Sequence, residues 1–213
     1  MNTKIKPLAG LATYEEAEKL GLGVEENVRR LLRYAWIDKC AMEASLYWLA
    51  PTPEWEVKEA VGLHASLDED HTADMRKRIG EMRSTVPSME SSPDQNINNL
   101  FNEVLASKTT LEKVVGLYGV IKPALLTAYK EHLAAVNSVF DHPIYRMLKH
   151  IVLDEEEIVA WRLHAVEALT QTEEAKSQAE NWKDRLELFL AFAGGVEGNG
   201  KAFDDAILPE KST

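Results

Sequence analysis

His64, Asp68 and His71 stand at i, i+4 and i+7 of one stretch, the spacing that puts three side chains on one face of a helix. Val57, Val61, Met75 and Ile79 continue that face as an apolar stripe. Two imidazoles and a carboxylate therefore point into a core. Burying such groups without partners costs ~2–7 kcal/mol each. Facing helices must answer them with hydrogen bonds, or a metal ion must.

Other stripes offer the answering groups. On the first long helical stretch the inward stripe reads Leu32, Trp36, Cys40, Glu43, Tyr47 and Ala50, with Glu43 in its middle. On the last of the four long stretches Glu155 interrupts Ile144, Leu148, Ile151, Ile158, Ala165 and Leu169, while the adjacent face carries His150, Asp154, Glu157 and His164. Lys122 and His132 lie near a third stripe, Leu111, Val115, Tyr118 and Leu125. Inward carboxylates and imidazoles from facing helices are what a di-iron or di-manganese bundle is made of.

Plainer readings stand beside this one. A glutamate at a stripe edge can lead its carboxylate out to water. Asp68–Glu69–Asp70 also reads as a solvated acidic run. His64 and His71 can be core histidines bonded to Glu155 and Glu43 without any metal. His132, His142, His150 and His164 read as surface or helix-end residues. Cys40 has no histidine placed beside it by spacing, which speaks against a nucleophilic role.

The elements that must position these groups are helical throughout. Thr13 with Glu16, and Thr109 with Glu112, are capping boxes. Long helices are expected over about 24–49, from Pro53 to about Met82, over 109–136 and over 142–169, with Thr52 as N-cap of the second. Shorter ones are expected at 95–105 and 173–193. Pro123 falls inside the third long helix and should kink it or open a bulge. No stretch alternates with the period of a strand.

With 213 residues and one cysteine, the chain suits one domain without an internal disulfide. We expect a single helical-bundle domain over 1–213, its core at about 24–193 and a loose tail at 194–213. No apolar run reaches the ~18 residues of a membrane span, and the first ten residues lack a secretory signal. A net charge of −11 argues against nucleic acid, which demands clustered Lys and Arg. The expectation is a cytoplasmic protein with no membrane contact. An apolar flank bearing Trp48, Trp55 or Trp182 would make it a homodimer.

The order Glu43, Asp68-x-x-His71, Glu155 resembles the ferritin-like superfamily. The second helix, opening Pro53-Glu54-Trp55-Glu56-Val57-Lys58 and carrying His64 and His71, is similar to that of bacterial ferritin-like proteins. The likeness spans most of Val24–Leu169. It implies an all-α, ferritin-like four-helix bundle with a crossover and accessory N- and C-terminal helices, and a metal site of Glu43, Asp68, His71 and Glu155. His64 would be an extra ligand or a neighbouring base. The implied function is that of a non-haem iron or manganese O2-dependent oxidase or oxygenase. The pattern departs from the family at Ile158, where a histidine is usual, at Asp68 instead of glutamate, and at Lys122, near which no third-helix acid occurs. A mononuclear site therefore stays open, as does a metal-free bundle that binds a ligand or a protein.

Overall fold

The computed structural model describes residues 5–198, and among these there is no strand. A 3-10 turn at Pro7–Gly10 and the short α1 (Tyr14–Ala17) precede two long helices, α2 (Val24–Leu49) and α3 (Trp55–Glu81). The chain continues through α4 (Gln95–Leu105), α5 (Thr110–Lys113), a π-helical segment (Val114–Ile121), α6 (Lys122–Ala135), α7 (His142–Leu169) and α8 (Glu173–Phe192).

The starts of these helices follow from side-chain caps. Both capping boxes are formed. The Asp94 carboxylate accepts from the Ile97 amide at 2.8 Å to open α4, and Thr172 accepts from the Ala175 amide at 3.1 Å to open α8. Such a cap is worth ~1 kcal/mol. Thr52 does not cap α3 as expected. Its hydroxyl turns back to the Trp48 carbonyl at 2.9 Å, and the helix begins two residues after Pro53, with Glu54 in the cap position.

Alpha-helical hydrogen bonding gives way to i→i+5 bonding before Pro123. Proline has no N–H to donate and its ring crowds the carbonyl four residues back. The Lys122 amide accordingly bonds to the Leu117 carbonyl, five residues back. The expected bulge thus takes the form of a π segment that sets the facing of Tyr118 and Lys122.

Packing makes an all-helical bundle. The α2 and α3 helices form a hairpin, the π segment and α6 lie along α7, α3 meets α7 across the middle, and α8 covers α4 and the π segment. The α2 helix reaches α6 through large side chains, with the Tyr34 ring edge-on to Tyr129 at 5.0 Å. Leu31, Ile37, Met75, Ile79, Leu117, Leu125, Ile144 and Leu148 are buried, each contributing about 1.5–3 kcal/mol of transfer free energy. No helix among the described residues is long and apolar enough to cross a membrane.

Several expectations change here. Trp48 and Trp182 are core residues, which leaves Trp55, 66% exposed, alone of the three on the surface. His132 is buried, not a surface residue. The stretch 194–198 is not loose. The buried Arg33 guanidinium donates to the carbonyls of Val196 at 2.6 Å and Ala193 at 3.1 Å, and pairs with Asp94. The remainder of the expected tail lies outside the described residues.

Candidate functional site

Lys122 stands at the centre of the bundle, wholly buried, and its ammonium faces three wholly buried carboxylates. It donates to Asp68 and, at 2.6 Å, to Glu155 Oε1, and lies 3.9 Å from Asp38 Oδ1. The other Asp38 oxygen accepts from the Tyr129 hydroxyl at 2.5 Å. His71 joins from α3. Its Nε2 lies 3.1 Å from Asp154 Oδ2 and its Nδ1 lies 3.8 Å from Glu155 Oε1.

The helices deliver these groups by simple periodicity. Asp68 and His71 sit three apart on the inner face of α3, and Glu155 sits between Ile151 and Ile158 on the inner face of α7. Asp38 sits on α2 in a 3–4 repeat of inward residues: Leu31, Tyr34, Asp38, Ala41, Ser45 and Trp48. Lys122 is aimed inward from the junction of the π segment and α6.

Electrostatics at the site are set by burial. Loss of water raises the Asp38 carboxyl well above its ordinary value, with Lys122 pulling it down and Asp68 and Glu155 pushing it up. Burial raises Asp68 too, against the pull of Lys122. Glu155 is pushed up to about 7 by burial, less the attraction of Lys122. Burial also works against the Lys122 ammonium, yet the Asp68, Glu155 and Asp38 carboxylates outweigh it and hold the group well above its ordinary value. The lysine stays charged. His71 is lowered by burial, with its bond to Asp154 opposing, so the ring stays neutral at physiological pH.

Three carboxyl groups face one ammonium, so with all of them ionised the site is short of positive charge, a shortfall that protons on the raised carboxyls or a metal ion can meet. It is also short of hydrogen bonds: Asp38 Oδ1, Asp68 Oδ2, Glu155 Oε2 and His71 Nδ1 are buried and make none among the described residues. One ligand atom each from Asp68, His71 and Glu155 lies within 4.8 Å of the other two. Asp154 accepts only, so His71 carries its proton on Nε2 and turns an Nδ1 lone pair toward Glu155. A carboxylate behind an imidazole in this way orients it as a metal ligand.

The five residues expected at the site divide. Asp68, His71 and Glu155 come together. Glu43 does not. It lies on the outer face of α2, half exposed, paired with Lys39 at 2.7 Å, because the inward stripe of α2 is rotated by about one residue from the expected one. Small Ala35, Ala41 and Ala44 face inward, while bulky Tyr47 is 71% exposed. His64 is buried one turn before Asp68, but its ring packs on Tyr118 at 5.3 Å and on Trp161 at 5.2 Å. Its Nδ1 makes no hydrogen bond among the described residues. Burial lowers it to about 4, so it is a neutral ring beside the site and bonded to no glutamate. Cys40 is also inert, its thiol raised by burial to about 12.

Lys122, Asp38, Tyr129 and Asp154 are site members beyond the five expected residues. The 3–4 repeat through Asp38 was the available signal. For Asp154 there was none beyond its place one residue before Glu155. No family model, curated protein or solved structure matches this chain.

Proposed function

We propose that the bundle core is a mononuclear metal site in which Asp68, His71 and Glu155 hold one divalent ion, iron or manganese, for O2-dependent oxidation of a small molecule. The observation that carries this reading is that Asp68, His71 and Glu155 each bring one ligand atom within 4.8 Å of the other two, while each also holds a buried side-chain atom with no hydrogen bond among the described residues. Two carboxylates and one imidazole form a hard, oxygen-rich donor set that suits these ions over structural zinc. Two ions do not fit. Glu43 is on the outer face and the third long helix supplies Lys122 where a carboxylate would be needed. The ferritin-like likeness of the sequence is part of the proposal, and the all-helical bundle is compatible with it.

A bound ferrous or manganous ion would supply electrons and an open coordination position for O2. The chain supplies the rest. Asp154 holds the His71 tautomer. Tyr129 fixes Asp38, and the Tyr118, His64 and Trp161 rings pack against one another, tilted or edge-on, with His64 one turn before Asp68.

A second reading has its own observation. Lys122 already donates to two of the three would-be ligands, as in a metal-free ion-pair core, and the bundle would then serve as a ligand- or protein-binding module. Elemental analysis after expression in iron- or manganese-supplemented medium separates the two. The metal reading expects one ion per chain in the wild type and its loss from the double variant Asp68→Ala/His71→Ala. A wild type without metal after loading leaves the metal-free reading.

A further inference from the structure

We propose that Lys122 is a resident cation that the incoming metal ion displaces onto Asp38. The inference rests on the metal reading above and assigns a regulation to that same site. In the metal-free protein the ammonium occupies Asp68 and Glu155. When an ion takes these carboxylates, the ammonium moves to Asp38 Oδ1, an atom that has no role in the ligand set.

Three observations support this. The first is distance. Nζ lies 3.9 Å from Asp38 Oδ1, so a shift of ~1 Å brings it to the 2.7–3.2 Å range of a hydrogen bond. The flexible four-carbon stem of lysine allows that shift without moving the backbone. The second is availability. Asp38 Oδ1 is buried and makes no hydrogen bond, whereas Oδ2 is held by the Tyr129 hydroxyl at 2.5 Å. Asp38 is thus a fixed carboxylate with one free oxygen facing the lysine.

The third is charge. Asp38 from α2, Asp68 from α3 and Glu155 from α7 balance one ammonium and one divalent ion together. The other polar groups around the ammonium, His71, Tyr118 and Tyr129, are neutral. With all three ionised, a metal without the lysine would leave one buried carboxylate unanswered, and the lysine without a metal leaves two, which burial answers by raising these carboxyls toward their protonated forms. Among the described residues, Lys122 is the cation that acts on Asp38.

The backbone places Lys122 at an irregular point of the helix. Lys122 begins α6 directly after the π segment, and its amide bonds to Leu117 instead of the α-helical partner. Pro123, next in the chain, donates no amide hydrogen bond.

The test compares Mn2+ binding by the full-length wild type, Lys122→Met and Asp38→Asn, followed by the EPR signal of free Mn2+, with far-UV CD to verify folding. Lys122→Met should bind at least about tenfold tighter, since no ammonium has to leave, and Asp38→Asn at least about tenfold weaker, since the ammonium has nowhere to go. Equal affinity in all three overturns the displacement and keeps the metal site. Wild-type affinity in Asp38→Asn alone overturns the role of Asp38. Binding by Lys122→Met but not by the wild type means the ammonium never leaves, which also overturns the displacement. Binding by none of the three removes the metal reading itself. Should Asp38→Asn not fold, a crystal structure of the Mn2+-loaded wild type decides. The expected result is Nζ on Asp38 and off Asp68 and Glu155; Nζ still bonded to those two overturns the proposal.

Discussion

His132 should make the protein sensitive to acid in a window that its surroundings define. The ring is fully buried between α2 and α6, its Nε2 is 2.8 Å from Asn27 Oδ1, and Asn27 Nδ2 in turn donates to the Leu22 carbonyl at 3.1 Å. The amide oxygen accepts, so the imidazole Nε2–H donates, and burial favours the neutral ring. Burial lowers it from 6.5 to about 4, helped by Arg30 and Arg29 and opposed by Glu26. The unfolded chain takes up this proton below the ordinary value, and the folded chain resists until about 4. The contribution of His132 is therefore complete above 6.5 and is lost as pH falls toward 4. A shift of that size is worth roughly 3 kcal/mol. His64 acts in the same direction, while Glu155, raised to about 7, acts in the opposite one. The test must therefore be a difference. Urea unfolding of wild type and His132→Gln at about pH 7.5 and about pH 4.5 should show the variant gaining about 2–3 kcal/mol relative to wild type at the lower pH. Parallel pH profiles would refute the reasoning.

Three further outcomes follow from geometry. Asp154→Asn should lower metal affinity about 10–100-fold by releasing the His71 ring, measured by competition with a chelator; unchanged affinity would mean that Asp154 does not orient it. Gly21→Ala should destabilise by about 1–3 kcal/mol in chemical denaturation, because a Cβ there would stand 2.7 Å from the Asn137 backbone nitrogen. Glu43→Ala should change stability by less than about 0.5 kcal/mol, since it breaks only a surface pair with Lys39; a loss above about 1 kcal/mol would place Glu43 inside after all.

Helix boundaries were legible because they rest on local chemistry. Thr13 with Glu16, Thr109 with Glu112 and Pro123 each act within a few residues of themselves, and helices begin or bulge beside them, whereas Thr52 turned back to Trp48 and left Glu54 to precede α3. The inner faces of α3 and α7 were legible as well, since branched and long apolar residues flank Asp68, His71 and Glu155. The α2 helix was misread because size was taken for burial. Its inner face is lined with alanines that let α3 approach closely, and its bulky Tyr47 points to solvent. That rotation put Glu43 in place of Asp38. His132 was misread for a related reason. Its hydrogen-bond partner inside is Asn27, distant in sequence, and no local pattern announces a partner 105 residues away.

The Arg33 contacts have a consequence for the order in which the chain can finish folding. A guanidinium on the third turn of α2 is sealed by carbonyls up to 163 residues further along. At synthesis rates of roughly 5–20 residues per second, the ribosome delivers those carbonyls about 10–30 s after the arginine itself. Until then the α2–α3 hairpin carries a cation it cannot bury. The two halves of the chain are consequently locked together by the turn that follows α8, and a nascent chain stopped short of residue 193 should remain open at this seam however well its earlier helices have formed.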